Sequence, residues 1–226
     1  MSPRCRCRVH GTSGELMTKP RVLIADDHLL LLDAFERLLE DTYEIVGKVA
    51  DGRELVRAAL ELKPDAVVAD ISMPELNGLE AARQILARIP GTRIVLLTVH
   101  EDGVLAADAL QAGVSGFVLK RSAAGELQQA LREALAGAKY LTPLIAGGDA
   151  RSLAEQPGNG SPIGRLTPRE REVLQLLAEG CTMKEIGARL GITARTVAFH
   201  KYQLAEKLGT RTTAELIRFA MERYLI

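Results

Sequence analysis

Three aspartates, a threonine and a lysine stand at the ends of short apolar runs, and their types suit phosphoryl chemistry. The run Val22-Leu23-Ile24-Ala25 ends in Asp26-Asp27, and Ala66-Val67-Val68-Ala69 ends in Asp70. Ile94-Val95-Leu96-Leu97 ends in Thr98, and Gly116-Phe117-Val118-Leu119 ends in Lys120. Three carboxylates drawn together repel, and one stays protonated unless a cation offsets them. Hard oxygen donors suit magnesium, which takes one or two carboxylates beside waters and a phosphate. An ammonium and a hydroxyl nearby bind phosphoryl oxygens as point charge and donor. The set therefore describes a carboxylate that accepts a phosphoryl group while magnesium and Lys120 stabilise the charge in transfer. Taken singly, Asp26, Asp27 or Lys120 reads as an ordinary turn or surface residue; together they point to one site.

What must position these residues is a parallel sheet. Each run is four or five residues long, rich in Val, Ile and Leu, and does not alternate, as expected of strands buried on both faces. Ligands collect outside the carboxyl ends of such strands. A further strand is predicted over 45–49, and helices over 29–39, 54–62, 78–87, 104–112 and 124–136, with Pro64, Gly113 and Gly137 as stops. Five strands alternating with helices make a doubly wound α/β domain. Leu29 to Leu32 are assigned to core and helix packing.

The motifs Leu23-Ile24-Ala25-Asp26-Asp27-His28, Asp70-Ile71-Ser72-Met73-Pro74 with Asn77-Gly78, Thr98 and Lys120 resemble the receiver domain of bacterial two-component systems over residues 19–140. The resemblance implies that Asp70 is the phospho-acceptor and that Asp27 and Asp70 ligate magnesium. Asp26 would act mostly through a coordinated water, and the Ser72 backbone carbonyl would complete the protein ligands. Lys120 would pair with the phosphoryl group, Thr98 would move toward it, and Phe117 would be the aromatic switch. Ser72 and His100 hold the places that flank the attacking water and tune phosphoryl lifetime. His100 also reads as a solvated loop residue; with a reference pKa near ~6.5 it would add modest pH dependence. Many receivers carry proline after the strand-end lysine, and this chain has Arg121, which leaves the local loop geometry open.

Bulk properties bound these readings. With 226 residues, 47% hydrophobic and 26% charged, the chain has room for one large or two small globular domains. No apolar stretch approaches the ~18 residues of a membrane span. The net charge is zero but uneven: residues 161–226 carry eleven Lys and Arg against seven Asp and Glu, or +4, and the remainder −4. A basic carboxyl-terminal part fits a nucleic-acid module. Three cysteines, Cys5, Cys7 and Cys181, cannot form a disulfide framework, so a reducing cytoplasm is expected. Cys5 and Cys7 lack further nearby metal ligands except His10. Residues 1–18 carry no secretory core and read as a disordered basic extension, or as a segment preceding a native start at Met17.

Composition changes after Tyr140. Residues 141–164, rich in Gly, Pro and small polar side chains, read as a linker. Residues 165–226 announce four helices through capping boxes at Thr167-Pro168-Arg169-Glu170, Thr182-Met183-Lys184-Glu185 and Thr212-Thr213-Ala214-Glu215, with Gly180 and Gly209 as stops. The short Leu190-Gly191-Ile192-Thr193 connection suits a helix-turn-helix. On the third helix, over 194–208, Val197, Leu204 and Leu208 should pack on Ile186 and Leu190. Arg195, Ala198, Phe199 and Tyr202 then face outward, as for a helix lying in a DNA groove.

The residues Leu166-Thr167-Pro168-Arg169-Glu170, Lys184-Glu185-Ile186, Leu190-Gly191-Ile192, Thr196-Val197, His200 and Lys207-Leu208-Gly209 resemble the LuxR-type helix-turn-helix of NarL/FixJ-class response regulators. The resemblance implies base contacts at Ala198, Phe199 and Tyr202 and phosphate contacts near Lys184, Thr193, Arg195 and Lys201, with Thr196 on the same face. Ala198 stands where lysine is frequent, so base reading would lean on thymine methyls and DNA shape. The joined reading is a DNA-binding transcriptional regulator, phosphorylated on Asp70 by a sensor histidine kinase, which then favours a DNA-competent dimer. The last helix would supply dimer surface, an inverted-repeat operator would follow, and RNA polymerase is a further candidate partner. The unphosphorylated receiver would cover the recognition helix or keep the chain monomeric. Two alternatives share the features: a phosphorylation-independent DNA binder of the same fold, and a magnesium-dependent phosphohydrolase. The second lacks an acid/base aspartate two residues after Asp70, where Ser72 stands.

Overall fold

The computed structural model describes residues 19–146 and 162–222; the Gly/Pro-rich centre of the expected linker, Cys5, Cys7 and Tyr224 lie outside them. The strands are β1 (Arg21–Ala25), β2 (Glu44–Val49), β3 (Ala66–Asp70), β4 (Arg93–Thr98), β5 (Gly116–Leu119) and β6 (Tyr140–Leu141). They form one sheet in the order β2-β1-β3-β4-β5-β6, parallel throughout. Helices α1 (Leu29–Leu39), α2 (Gly52–Leu62), α3 (Gly78–Arg88), α4 (Gly103–Gln111) and α5 (Ala123–Leu135) connect the first five strands and lead into the sixth.

The period of a strand sorts its side chains between two cores. Leu23 and Ala25 of β1 join α2, α3 and α4 on one face through Leu55, Ala59, Ile85 and Ala106. Val22 and Ile24 join α1 and α5 on the other through Phe35, Leu39, Leu127 and Leu131. Both faces being covered explains why all five residues of β3 are buried. Side-chain caps start the helices where the chain must turn: Asp51 accepts from Glu54 N, Asn77 from Glu80 N, and Asp102 from Val104 N.

Two expectations need correction. A sixth strand extends the sheet, where five were expected; at two residues, Tyr140–Leu141 is too short to show periodicity. It continues into a short helix α6 (Pro143–Ala146), whose Ile145 is buried in the core beside α4. The four leucines opening α1 also divide. Leu32 is buried and Leu31 packs against the core, but Leu29 and Leu30 are 69% and 85% exposed. A helix has only one buried stripe, so four consecutive positions cannot all reach it.

The second domain comprises a 3-10 turn (Pro162–Arg165), α7 (Pro168–Ala178), α8 (Met183–Leu190), α9 (Ala194–Leu208) and α10 (Thr213–Glu222). Both Thr167 and Thr182 make complete capping boxes with Glu170 and Glu185. At the third expected box Thr212 accepts from Glu215 N, but the Glu215 carboxylate receives Arg211 N instead of closing the box. Val197 and Leu204 meet Ile186 and Leu190 in one core, with Leu208 at its margin. A Cβ on Gly187 would lie 2.7 Å from Ile192 O, so the turn between α8 and α9 closes only over glycine.

The domains meet where α7 crosses the loop joining β3 to α3. Gln175, 1% exposed, donates to Met73 O at 2.9 Å and accepts from Asn77 N at 2.7 Å. Glu179 accepts from Glu75 N, and Arg189 pairs with Glu75. Deeper, Arg171 Nε lies 2.5 Å from Glu80 Oε2, with Arg83 on the same carboxylate at 3.5 Å. Burial and the neighbouring Arg171 charge push the Arg83 guanidinium below its usual pKa.

A buried pair of this kind strongly penalises loss of one partner, by about 3–5 kcal/mol where the survivor cannot reach water. Here the survivor can, because the domains can part. Arg171→Ala is therefore expected to detach the helical domain rather than unfold the sheet domain. Small-angle scattering would register a larger radius of gyration; unchanged dimensions would show that the pair does not hold the domains together.

Candidate phosphoryl site and nucleic-acid face

Strand register brings the polar residues to one level. Ala25 pairs with Ala69, so Asp26 and Asp70, each the next residue, emerge side by side. Asp70 pairs with Leu97, and Thr98 with Leu119, which places Lys120 one step beyond. Lys120 Nζ lies 2.8 Å from Asp26 Oδ2 and 2.9 Å from Asp70 Oδ2. Asp26 is fully buried, Asp70 nearly so, and the lysine side chain is 11% exposed. A Cβ on Gly78 would sit 2.0 Å from Asp70 O, so the helix α3 terminus can approach the site only with glycine there.

Electrostatics follow from this burial. Desolvation raises the Asp70 pKa to about 6, aided by the Asp26 charge and opposed by Lys120 and the Ser72 backbone N–H. For Lys120, burial alone acts downward, but the two carboxylates outweigh it and the net direction is up. Asp27 and His28 complete the rim: His28 Nδ1 lies 2.8 Å from Asp27 Oδ1 and 3.2 Å from Asp26 Oδ1. The motifs assign His28 no role; its place directly after two acids is the signal in the sequence.

The donor set fits a small hard cation. Asp26, Asp27 and His28 each offer a ligand atom within 4.8 Å of the others. Asp26 Oδ2 meets the Lys120 ammonium at 2.8 Å and Asp27 Oδ1 faces His28 at the rim, and a carboxylate oxygen with one such partner keeps a lone pair for a cation. Carboxylate oxygens suit magnesium; the softer imidazole suits it less.

Thr98 is buried, and its Oγ1 accepts from His100 N at 3.1 Å. Burial lowers the His100 pKa, with Asp102 opposing. Phe117 lies wholly in the core. After Lys120 the chain turns as a 3-10 segment, Lys120–Ser122, with no cis peptide among the described residues, and Arg121 pairs with Glu101.

On the helical domain, Phe199 and Tyr202 project outward from α9, 59% and 67% exposed, with Arg195 and Lys184 also exposed. Ala198 and Thr196 lie half-buried on the same helix. Thr193 caps α9 by accepting from Thr196 N, and its hydroxyl meets that of Thr196 at 2.9 Å. Lys201 reaches Thr213 Oγ1 at 3.0 Å, tying α9 to α10. His200 stacks edge-on against Phe199, with ring centroids 6.0 Å apart. Of the two arrangements expected, a covered recognition helix or a monomer, the first is not seen: the outward aromatic face of α9 is exposed, and the hydrogen bonds and ion pairs between the domains fall on α7 and α8.

The raised Asp70 pKa carries a stability consequence. Between the ordinary value of 3.8 and about 6 the folded state binds the extra proton, so stability falls as pH rises through that window. In magnesium-free buffer Asp70→Asn should remove this slope. It should also gain up to about 3 kcal/mol at neutral pH, since each pKa unit corresponds to ~1.4 kcal/mol. Urea unfolding on either side of the window measures both; parallel curves would refute the desolvation account.

Comparison with known proteins agrees with both halves. Residues 22–132 match the response regulator receiver domain, and residues 164–220 match the bacterial regulatory proteins of the luxR family. The chain is similar to the response regulator GacA of Pseudomonas aeruginosa, 32% identical with 91% of this chain and 97% of that protein covered. It is similar also to the transcriptional regulatory protein LiaR of Bacillus subtilis, at 35% identity, 91% and 99% coverage. Among solved structures, RcsB of Salmonella typhimurium aligns with a TM-score of 0.64 at 27% identity, covering 92% of this chain and 99% of that one. RcsB of Salmonella enterica bound to promoter rprA in the presence of phosphomimetic BeF3- aligns with a TM-score of 0.58 at 26% identity, 92% and 98% coverage. Both family matches and relatives at 30% identity or more over nine-tenths of the chain agree: the chain belongs to the NarL/FixJ class of two-component response regulators, receiver domain followed by LuxR-type helix-turn-helix.

Proposed function

We propose that Asp70 is the phospho-acceptor of this regulator and that its phosphorylation by a sensor histidine kinase governs DNA binding and transcription. The observation that carries the assignment is the single ammonium of Lys120 held between Asp26 and Asp70. An Asp70 oxygen attacks phosphorus, the bond to the donor breaks, and an acyl phosphate results. The carboxylate must be ionised to attack, and a pKa of about 6 leaves it mostly so at neutral pH. Lys120 is then placed to meet a phosphoryl oxygen, Thr98 to supply a hydroxyl, and Ser72 and His100 to border the path of a hydrolytic water. Asp26, Asp27, Asp70 and the Ser72 carbonyl would hold magnesium, which when bound offsets the charge of the transferring group. The chain turns over no substrate in this reading beyond gaining and losing its own phosphoryl group.

The DNA face is assigned to α9. Phe199, Tyr202 and Ala198 would touch base edges, and Lys184, Thr193, Arg195, Thr196 and Lys201 would orient the helix on phosphates. Because this face is already open, control by occlusion is disfavoured. Control by dimerisation fits better: phosphorylation would bias the chain toward a homodimer reading an inverted repeat. The loop after Asp70 is the same loop that α7 grips through Gln175, which gives the phosphoryl site a direct route to the helical domain. No helix among the described residues is long and apolar enough to cross a membrane, which is compatible with the cytoplasm as the place of action.

The test is selection of DNA sites by purified protein, with and without beryllofluoride and magnesium, alongside mass by light scattering. Sites enriched with the mimic together with a monomer-to-dimer shift are expected, and Asp70→Asn should show neither. Equal enrichment in both conditions would favour a phosphorylation-independent DNA binder. On the selected site, Phe199→Ala and Tyr202→Ala should each weaken binding about tenfold while leaving Asp70 phosphorylation unchanged. Undiminished binding by both variants would move the reading face elsewhere.

A further inference from the structure

Lys120 depends on backbone that no motif explains, and the three consecutive peptide groups around it are each held by a hydrogen bond. Ser122 Oγ donates to Leu119 O at 3.1 Å. The Ala123 N–H closes the 3-10 turn onto Lys120 O. The third contact comes from outside the receiver motifs: Leu119 N donates to Thr142 Oγ1 at 3.1 Å. Thr142 is fully buried, and its own N–H donates to Phe117 O at 3.0 Å. Its hydroxyl in turn donates to Glu126 Oε2 at 2.8 Å, and that same oxygen receives the Tyr140 hydroxyl at 3.0 Å. A hydroxyl has one proton, so giving it to the carboxylate orients the lone pairs toward Leu119 N. Burial first, then the Glu126 carboxylate, push the Tyr140 phenol up to about 12, so it stays a donor to Glu126 across the physiological range.

From this geometry we infer that Thr142, oriented by Glu126, is a positioning residue for Lys120 and so for phosphoryl transfer to Asp70. Thr142 replaces the ladder bond that the end of β5 would otherwise lack and so fixes Leu119, the residue on which Lys120 follows. Lys120 must serve two carboxylates at once, so a small displacement of its backbone costs one of the two contacts. Outer partners that orient a catalytic group commonly matter this much. Thr142 also stands between β6 and α6, on the segment leading out of the receiver. The position of the ammonium is thereby tied to the chain that continues toward the DNA-binding domain. This inference rests on Asp70 being the phospho-acceptor.

The experiment uses the full chain with a small phosphodonor, acetyl phosphate, and magnesium, following Asp70 acyl phosphate by intact mass. Thr142→Val keeps the shape and removes the hydroxyl; Thr142→Ser restores the hydroxyl without the methyl. Thr142→Val should lower the maximal phosphorylation rate about tenfold, with the half-saturating donor concentration unchanged. Thr142→Ser should recover the wild-type rate within about twofold, which a purely packing role would not predict. Glu126→Ala should resemble Thr142→Val, and the double variant should be no slower than either alone, as expected of one chain of bonds. If Thr142→Val fails to fold, the Ser and Glu126→Ala variants still decide the matter. Wild-type rates in Glu126→Ala, or in Thr142→Val, would overturn the positioning role and leave Asp70 phosphorylation standing. A wild-type protein that gains no phosphoryl group at Asp70 would overturn both.

Discussion

One ammonium shared by two buried carboxylates is the constraint around which the receiver is arranged. Lys120 cannot meet Asp26 and Asp70 together unless β1, β3 and β5 end at one level, and their order and register in the sheet secure that. The arrangement remains short of positive charge. Burial first, and the neighbouring Asp26 charge after it, leave Asp70 with a raised pKa in spite of Lys120, and Asp27 and His28 crowd the rim. A site left electrostatically unsatisfied is ready to bind a cation and an incoming phosphoryl group, both of which relieve the imbalance.

The same sheet end is where the second domain attaches. The residues after Asp70 do not form an isolated loop; their backbone groups are bonded to Gln175 and Glu179 of α7. The contact is polar and charged, with Glu80 and Arg171 buried face to face. Such an interface is specific while closed and can open, since every group in it can be solvated on separation. Helix α9, proposed to read DNA, lies outside this interface, so opening the interface would change the relative placement of the two domains rather than uncover that helix.

Several features could not be read along the chain. Strand β6 is two residues long and exists because β5 offers it an open edge, a partner that no local pattern reveals. Helix α7 carries the polar Arg171, Glu172 and Gln175, and their partners Glu80, Gln84, Asn77 and Met73 come from the other domain. Leu29 and Leu30 look like core in sequence, yet the stripe of α1 that reaches the sheet runs through Leu32, Phe35 and Leu39.

Local chemistry was legible because it repeats at short range. Runs of β-branched residues ending in acid or lysine marked the strand ends. Capping residues marked the starts of α7 and α8, and helical spacing separated the buried from the open face of α9. Such signals suffice for the fold class, the acidic site with its lysine and the outward aromatics. Packing in three dimensions is needed to learn that Lys120 bridges Asp26 and Asp70, that Thr142 bonds Leu119 N just before it, and that α7 grips the loop after Asp70. The reason is separation along the chain. Propensity and periodicity act over a few residues, whereas these contacts join residues tens of positions apart and arise only once the sheet and the two domains are packed.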